Sequence, residues 1–445
     1  MKTIFVTSFH VFISRNILTS PFFEMLRSDP SLKVVLLIPH KKKEFFETNF
    51  GDERITIEAV ERTVGKVDAF LNDFALASFL TKSAGFRKKS GVGWLFPYTK
   101  HLFIFAPVFF RAYHYFYNFF MPRGRYAKIF EKHTPSMLFA TDIFAPLDAN
   151  FMLEARRRKI PVLGMIRSWD NLTTKGPFPV RPDQLLVAND IMATEAKEIH
   201  HYGEQHITRV GIPHYDRYKN EAILSRRDFC DRLGIDEKKK IVLYSPLGDR
   251  FFRNNTFDRD VIEVLSKSLP DNAVLLVRLP PTDAVNLKDI KLPKHNVFFD
   301  RPGVQLHSDN TFFKQNELSL KDEAHLIDTL YYSDVLVSIS TTLFIDIAMF
   351  GKSLIAIGYN SRDRKVCYPS AAHMLEYDHI IPLLQTKGVQ VANTPEELAM
   401  YVNDYLRHPE KDKKERNEII RTQVWMSDGK ASQRLFNAVV SFLNK

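Results

Sequence analysis

The sequence predicts an α/β protein with two doubly wound domains, each a parallel sheet covered by helices. Short apolar runs alternate with longer segments of helical periodicity, which is typical of βαβ units. The alternation stops once, in a polar and charged stretch, and then starts again. The chain has 445 residues, enough for two domains of about 200 residues each.

Each predicted strand is a short apolar run. Seven lie in the first half of the chain, at residues 3–9, 32–38, 55–60, 137–140, 162–166, 184–187 and 207–210. Five lie in the second half, at residues 241–244, 273–277, 297–299, 335–339 and 354–357. Helical patterns lie at residues 16–27, 147–158, 191–200, 259–268, 321–332, 342–350, 394–407 and 431–443.

The domain limits follow from this pattern. Residues 1–215 form the predicted first domain, residues 216–238 a linker, and residues 239–415 the predicted second domain. Residues 416–445 form a C-terminal helical segment that can pack back on the first domain. Two such halves predict a cleft between them, with ligands bound beyond the carboxyl ends of the strands.

Composition excludes several classes of protein. The two cysteines, Cys230 and Cys367, match no disulfide, metal or redox spacing, which favours a reducing cytosol. The apolar run within residues 1–10 is too short for a secretory signal, and no run of about 18 apolar residues exists to span a bilayer. We therefore expect a cytoplasmic protein.

The net charge of +10 is concentrated in residues 82–132, which hold ten basic side chains and one acidic side chain. Within this insert, residues 94–120 carry 13 aromatic rings in 27 positions. Rings with cationic flanks fit a helix in the interface of an anionic membrane. They also fit a helical pair packed in the core of the first domain. RNA is the least favoured partner, because no RNP-type motif accompanies the rings.

Ser340, Thr341 and Thr342 lie between a predicted buried strand and a predicted helix. Hydroxyls and backbone N–H groups at such a junction can hold a phosphate. Asp346, one turn further on, can accept hydrogen bonds from ribose hydroxyls. The alternative is plain helix capping, because Ser and Thr are ordinary N-caps.

Two other strand ends in the second half add to this prediction. Leu247 and Gly248 follow strand 241–244, and a glycine there lets the backbone approach a ligand. Arg278 follows strand 273–277 and meets either an anionic ligand or a structural Asp. Together the three strand ends predict a site for a nucleoside diphosphate.

No metal or other cofactor is expected. The one cluster with H-x-x-E-x-x-H spacing, at residues 373–379, lacks the usual partner ligands. The D-x-D pattern at residues 258–260 lies where a helix begins, and acidic residues there complement the helix dipole.

The first half offers candidates for acceptor binding and proton transfer. A polar loop follows strand 162–166, and in it Trp169, Asn171 and Lys175 can contact an acceptor or a phosphate. Asp170 can remove a proton from an acceptor hydroxyl, or it can cap an Asx-type turn. His10, after the first strand, is a second candidate base or an ordinary structural histidine. Asp142, after strand 137–140, is a weaker third candidate.

Residues 169–176 (WDNLTTKG), 211–216 (GIPHYD), 340–346 (STTLFID) and 350–352 (FGK) resemble GT-B-fold glycosyltransferase-like proteins of bacterial surface-carbohydrate synthesis. They are similar to the CDP-glycerol glycerophosphotransferases that build teichoic-acid polymers. The resemblance covers the chain from about residue 162 to its end. It implies two Rossmann-like domains, with the donor on the second and the acceptor on the first, and transfer without a metal.

In that family a Trp–His–Gly–Thr segment supplies the proposed base, and Asp170 stands at the His position here. This departure favours a sugar donor. We therefore expect a glycosyltransferase that moves a sugar from a nucleoside diphosphate to a hydroxyl of a lipid-linked or polymeric glycan at the inner membrane face. The alternatives are a CDP-glycerol-type glycerophosphotransferase, a sugar-nucleotide epimerase, and a non-enzymatic membrane or RNA binder acting through residues 82–132.

Overall fold

The computed structural model describes residues 1–61, 65–89, 106–218, 222–249, 256–281, 283–287, 290, 292, 296–304, 316–360 and 370–445. The chain divides into two compact units. The first unit is Met1–Arg217 with Trp425–Lys445, and the second unit is Tyr218–Val424.

The first unit is built on a seven-stranded parallel sheet with the order β3-β2-β1-β4-β5-β6-β7. Its strands are β1 (Lys2–Thr7), β2 (Leu32–Pro39), β3 (Ile55–Val60), β4 (Met137–Ala140), β5 (Val162–Met165), β6 (Gln184–Val187) and β7 (Ile207–Arg209). The central strands are buried on both faces, which explains why they read as continuous apolar runs.

The helices of the first unit cover both faces of this sheet. They are α1 (Val11–Ile13), α2 (Pro21–Ser28), α3 (Lys43–Phe50), α4 (Lys66–Ala77), α5 (Lys82–Lys89), α6 (Ala106–Phe120), α7 (Ala127–His133), α8 (Pro146–Arg157), α9 (Asn171–Thr174), α10 (Asp190–Glu198) and the C-terminal α19 (Ala431–Leu443). Short π- or 3-10 turns lie at Ser14–Leu18, His40–Lys42, Glu204–His206 and Pro213–Arg217.

The second unit has a six-stranded parallel sheet with the order β10-β9-β8-β11-β12-β13. Its strands are β8 (Lys240–Tyr244), β9 (Ala273–Arg278), β10 (Val297–Asp300), β11 (Val335–Ser338), β12 (Ser353–Ile357) and β13 (Gln390–Ala392). Its helices are α11 (Arg226–Leu233), α12 (Phe257–Ser268), α13 (Leu320–Tyr332), α14 (Leu343–Ala348), α15 (Ala371–Met374), α16 (Ile381–Gln385), α17 (Pro395–Arg407) and α18 (Lys413–Ile419), and a π-turn follows at Ile420–Val424.

The predicted linker, residues 216–238, is not extended throughout. Helix α11 begins after Ser225, whose Oγ accepts the N–H of Asp228 at 3.1 Å, and ends at Gly234 in the left-handed conformation. This helix belongs to the second unit, which begins at Tyr218.

The C-terminal helix α19 belongs to the first unit. Asp216 fixes its start, because the carboxylate accepts the backbone N–H of Ala431 at 3.0 Å and that of Ser432 at 2.6 Å. At the other end, Lys2 Nζ donates to the carbonyl of Leu443 at 2.9 Å. The last 21 residues, from Trp425 onward, therefore complete the fold that begins at the N-terminus.

Part of the aromatic, basic insert lies outside the described residues, at 90–105. Helix α6 buries Tyr113 and Tyr117 completely, so one of its faces packs in the core. Its other face exposes apolar side chains, among them Val108, Tyr115, Phe116, Phe119 and Phe120. One face of this helix is therefore packed in the core, as one alternative predicted. The other face is exposed, and the predicted contact with a membrane concerns that face.

Candidate functional site

Each sheet contains one point at which the chain reverses its direction of strand addition. In the second unit this point lies between β8 and β11, and in the first unit between β1 and β4. Ligands of open parallel sheets bind beyond the carboxyl ends of the two strands at such a point. The loops after these four strands are therefore the candidate sites.

Two hydrogen bonds tie the loops of the second unit together. Ser245 N–H donates to the carbonyl of Val337 at 3.1 Å, and Ser338 Oγ donates to the carbonyl of Ser245 at 2.7 Å. The loop that carries Leu247 and Gly248 therefore lies directly beside the loop that carries Ser340.

The glycine loop after β8 is held by a buried carboxylate. Gly248 has φ of +97°, a conformation that L side chains rarely adopt, and its N–H donates to Asp258 Oδ2 at 3.2 Å. The same carboxylate accepts the Tyr244 hydroxyl at 2.5 Å. The sequence predicted only that Asp258 complements a helix dipole. Its role in fixing Gly248 becomes visible only when the hydrogen bonds are known. Leu247 is half-buried against the core of this unit.

Several polar groups of the loop after β11 form no hydrogen bond with the described residues. Ser340, Thr341 and Thr342 are half-buried. Thr341 Oγ1 accepts the N–H of Leu343 at 3.2 Å, so this hydroxyl caps the helix, as the helix-capping alternative predicts. In the described part of the chain, the hydroxyls of Ser340 and Thr342 have no hydrogen-bond partner, and the backbone N–H groups of these three residues donate to no carbonyl.

Helix α14, which follows this loop, is shorter than predicted. It spans six residues, Leu343–Ala348, instead of residues 342–350. Such a short helix carries a small dipole, so the hydroxyls and N–H groups themselves must supply most of any attraction for phosphate.

The predicted contact between Asp346 and a ribose does not agree with its position. Asp346 is completely buried, and its Oδ1 accepts the Tyr218 hydroxyl at 2.8 Å. We interpret Asp346 as support for the Ser340–Thr342 loop.

Arg278 is likewise directed to protein. Its side chain is 7% exposed, and Nη1 forms an ion pair with Asp300 Oδ2. His325 Nε2 lies 3.0 Å from the other oxygen of Asp300. Burial would raise the pKa of Asp300, but Arg278 and His325 hold it below its ordinary value. Of the two predicted roles, the structural ion pair is the one observed.

In the first unit, hydroxyl groups join the ends of β1 and β4. Thr141 N–H donates to Thr7 Oγ1 at 2.9 Å, and Thr141 Oγ1 donates to the carbonyl of Thr7 at 2.7 Å. Thr7 Oγ1 donates in turn to Asp148 Oδ1 at 2.5 Å. Burial and the nearby charge of Asp142 raise the pKa of Asp148 well above its ordinary value.

Asp142 and Arg167 form a buried pair at the same switch point. Arg167 Nε donates to Asp142 Oδ2 at 2.6 Å, and the side chains are 9% and 5% exposed. Burial would raise the pKa of Asp142, but the Arg167 guanidinium keeps it below its ordinary value. Arg167 follows the predicted strand 162–166, as Arg278 follows the predicted strand 273–277, and that position could have marked it in the sequence.

The His10 ring accepts a hydrogen bond at one nitrogen and carries its proton on the other. Its Nδ1 accepts the N–H of Phe12 at 3.2 Å and caps helix α1, so the neutral ring carries its proton on Nε2. Burial and the charge of Arg167 lower the pKa of His10 to about 3. The ring is therefore neutral, but its basic nitrogen is occupied.

Asp170 precedes helix α9 and is held by that helix. Its Oδ1 accepts Asn171 Nδ2 at 3.1 Å, and its Oδ2 accepts Thr174 Oγ1 at 3.2 Å. Asn171 is buried, whereas Trp169 and Asp170 are half-buried. Both donors are side chains, and the Asp170 carboxylate makes no side-chain cap to helix α9, so the predicted Asx-type cap is not observed and the role of Asp170 as a base stays a prediction.

Lys175 ends the same loop and is exposed. Desolvation by the surrounding protein, together with the charges of Arg87 and Arg167, lowers the pKa of Lys175. Arg87 of the insert also donates to the carbonyl of Thr174 at 2.6 Å. The insert and the polar loop are therefore parts of one structure.

The described residues contain neither a metal-binding cluster nor a helix that could span a membrane. Among the described residues, no group of three or more His, Cys, Asp or Glu side chains is arranged to hold a metal ion. Within the same residues, every helix is too short or too polar to cross a bilayer. Transfer without a metal stays a prediction.

Comparison with known proteins gives one family and several similar folds. A family model described as CDP-glycerol:poly(glycerophosphate) glycerophosphotransferase matches residues 179–441, more than half of the chain. The match begins just after the loop that holds Trp169 and Asp170. A search of curated proteins found no match.

Three solved structures illustrate the likeness of fold. MnaA from S. aureus with UDP aligns over 100% of this chain and 97% of its own, at 11% identity and a TM-score of 0.57. A UDP-GlcNAc 2-epimerase from Neisseria meningitidis bound to UDP-GlcNAc aligns over 99% and 100%, at 11% identity and 0.57. The wall teichoic acid polymerase TagF aligns over 100% and 89%, at 12% identity and 0.55. At these identities the likeness shows the fold alone, and the predicted pair of Rossmann-like domains is confirmed.

Proposed function

Because the chain belongs to the CDP-glycerol:poly(glycerophosphate) glycerophosphotransferase family, we propose that it transfers glycerol phosphate from CDP-glycerol to a hydroxyl of a polymeric acceptor. The observation that carries the proposal is the loop of Ser340, Thr341 and Thr342 beside Gly248. It offers two hydroxyls and three N–H groups without protein partners, in the described part of the chain, at the switch point of the second unit.

We propose that the donor diphosphate binds at this loop. Its oxygens accept hydrogen bonds from the Ser340 and Thr342 hydroxyls and from the adjacent backbone N–H groups. Gly248 lets the neighbouring loop approach closely, because it has no side chain. These donors also stabilise the charge that develops on the leaving nucleotide, so the proposal requires no metal.

The chemistry is a direct displacement. The acceptor hydroxyl loses its proton to a base and attacks the phosphorus that carries glycerol. A new P–O bond forms, the P–O bond to CMP breaks, and CMP leaves with the electron pair. The first unit supplies the acceptor site in this proposal, since its switch point carries the Asp142–Arg167 ion pair.

Sugar transfer is the second candidate. It is favoured by Asp170, which stands where the related segment of the family has a histidine, and this loop lies outside the matched residues 179–441. In that reaction the acceptor oxygen attacks the anomeric carbon, and a nucleoside diphosphate leaves.

A donor panel separates these candidates. The full-length protein is incubated with CDP-glycerol or with UDP-, GDP-, dTDP- or ADP-sugars, a short poly(glycerol phosphate) oligomer and EDTA, and products are followed by mass spectrometry and ³¹P NMR. We expect CMP and an elongated oligomer from CDP-glycerol. Nucleoside diphosphate released only from a sugar donor would support the second candidate. A converted sugar nucleotide without an acceptor would indicate an epimerase.

We also propose that the protein works at the inner face of an anionic membrane. The exposed face of α6 is apolar, and Arg123 and Lys128, which follow it, are exposed cations. Rings and cations in this arrangement suit the lipid interface. A nucleotide-linked donor, made in the cytoplasm, is consistent with that face.

A further inference from the structure

A cavity in the second unit lies at the edge of the sheet opposite the Ser340–Thr342 loop. Its volume is about 500 Å³, which is within the range of small-molecule sites. Asp334 and Lys352, which both line it, lie just before β11 and β12, so the cavity is at the amino ends of these strands. The Ser340–Thr342 loop follows the carboxyl end of β11. The cavity is therefore separate from the proposed donor site.

The walls of the cavity come from two parts of the second unit. One wall is the turn from α14 to β12, at residues 348–353. The other wall is formed by α18 and the residues on either side of it: Pro409, Glu410, Lys413, Asn417 and Ile420. Buried Arg416 fixes this second wall, because its guanidinium donates to the carbonyls of Pro409 and Lys411. The first wall contains residues 350–352 (FGK), which carry part of the family resemblance and have no role in the proposed donor site.

Lys352 brings an unpaired positive charge to the cavity. Its ammonium forms no ion pair or hydrogen bond with the described residues, and its Nζ lies 5.5 Å from the centroid of the Tyr331 ring. Lys352 is half-buried, and burial lowers its pKa, although the nearby charge of Asp334 opposes this shift. An anion bound in the cavity would supply the missing opposite charge.

Asp334 adds a hydrogen-bond acceptor to the cavity. Its Oδ2 accepts the backbone N–H of Ile241 at 2.8 Å, which fixes the orientation of the carboxylate. Its other oxygen accepts no hydrogen bond from the described residues, and the side chain is half-buried rather than sealed. The remaining charges, Glu410 and Lys413, pair with each other at 3.1 Å. The cavity thus offers a cation for an acidic group and an acceptor for hydroxyl groups.

We propose that this cavity binds a small phosphorylated polyol, with its phosphate on Lys352 and its hydroxyls on Asp334. A phosphate carries the charge that the ammonium lacks, and a carboxylate oxygen accepts hydrogen bonds from hydroxyls. A bare anion fits less well, because Asp334 would repel it without forming any favourable contact. The inference goes beyond the proposed function, since it adds a second ligand away from the donor loop and holds whichever donor the protein uses.

Equilibrium dialysis of radiolabelled glycerol 3-phosphate tests the site in the full-length protein, with CDP present to occupy the donor loop. We expect one saturable site with a Kd below about 1 mM. Lys352→Met should raise this Kd by about tenfold or more, because it removes a charge-assisted hydrogen bond to phosphate. Lys267→Met is the matched control, since Lys267 is exposed and pairs with Glu263 at 3.5 Å.

The control should bind glycerol 3-phosphate within about twofold of the wild type, because an exposed ion pair far from the cavity contributes little. Equal Kd values in Lys352→Met and the wild type would overturn the proposal. Absence of saturable binding in the wild type would overturn it as well.

Asp334→Asn tests the contact with the hydroxyls. The amide keeps the shape of the side chain and an acceptor for the N–H of Ile241, but it loses the charge. The preference for glycerol 3-phosphate over inorganic phosphate, given by the ratio of their Kd values, should fall by about threefold or more. An unchanged preference would overturn the assignment of the hydroxyls to Asp334.

Hydrogen exchange gives a test that needs no variant, should Lys352→Met fail to fold. Added to the wild type with CDP, glycerol 3-phosphate should slow exchange in peptides covering residues 348–353 and 409–420. Residues 244–249 and 337–343 should exchange as they do with CDP alone. Further protection confined to residues 244–249 and 337–343 would place glycerol 3-phosphate in the donor loop and overturn the second site.

Discussion

The two switch points share one topology and differ in chemistry. In the first unit the loops after β1 and β4 hold a buried ion pair, Asp142 with Arg167. In the second unit the loops after β8 and β11 present hydroxyls, backbone N–H groups and Gly248. A diphosphate needs donors that approach closely, whereas a hydroxyl nucleophile needs a base. The difference indicates that one fold, used twice, binds two kinds of substrate.

The largest expected effect tests whether Arg278 is a structural residue. A ligand contact at Arg278 would contradict the comparison of the two switch points. Arg278→Met leaves Asp300 buried without its cation and should destabilise the protein by about 3–5 kcal/mol. The CDP affinity of the folded variant should stay within about twofold of the wild type. Thermal unfolding and calorimetry measure the two quantities.

The loss of stability in Arg278→Met should depend on pH in one direction. The pKa of Asp300 is lowered in the fold, so its favourable contribution is present above about pH 4 and disappears as the pH falls further. The deficit of Arg278→Met should therefore shrink in acid. Arg227→Met is the control, because the Arg227–Asp231 pair is exposed and contributes little. Weaker CDP binding with unchanged stability would indicate that Arg278 contacts the donor.

A smaller effect sharpens the account of the donor loop. Gly248→Ala would place a Cβ 2.5 Å from Asp283 Oδ2 at a φ of +97°. Strain of about 1–3 kcal/mol should shift the loop and weaken CDP binding by roughly tenfold to a hundredfold. Gly351→Ala is the matched control, with φ of +69° and no atom within 4 Å of the added Cβ. Equal CDP affinities in the two variants would argue against a donor at Gly248.

The last prediction concerns the membrane, which only the first unit is proposed to contact. Replacing Phe119 and Phe120 by Ser should reduce binding to anionic vesicles by roughly tenfold or more, because burial of each ring in lipid is favourable by about 1.5–3 kcal/mol. Replacing Ile223 and Met400, exposed apolar residues of the second unit, by Ser should change nothing. A sedimentation assay measures both, and equal losses would contradict a specific surface.

Most of the fold could be predicted from the sequence because buried parallel strands are continuous apolar runs. Strand β13 was missed, since Gln390–Ala392 is three residues long and gives no such run. The helix predicted at residues 16–27 begins at Pro21 in the structure, because proline fits the first helical position and Ser20 precedes it with extended backbone.

The candidate sites were harder to predict for a physical reason. A polar residue at a strand end can turn toward a ligand or toward protein, and its sequence position is the same in both cases. Arg278 and Asp346 turn inward. Which oxygens of Asp142 and Asp170 accept hydrogen bonds from protein also depends on the folded structure, and the sequence does not show it.

Hydrogen exchange with and without CDP tests most directly whether the second unit, and not the first, binds the donor nucleotide. We expect CDP to slow exchange in peptides covering residues 244–249 and 337–343 of the wild type, and to leave residues 7–11 and 139–143 unchanged. Protection confined to the loops of the first unit, or bound CDP without protection of residues 337–343, would contradict the account.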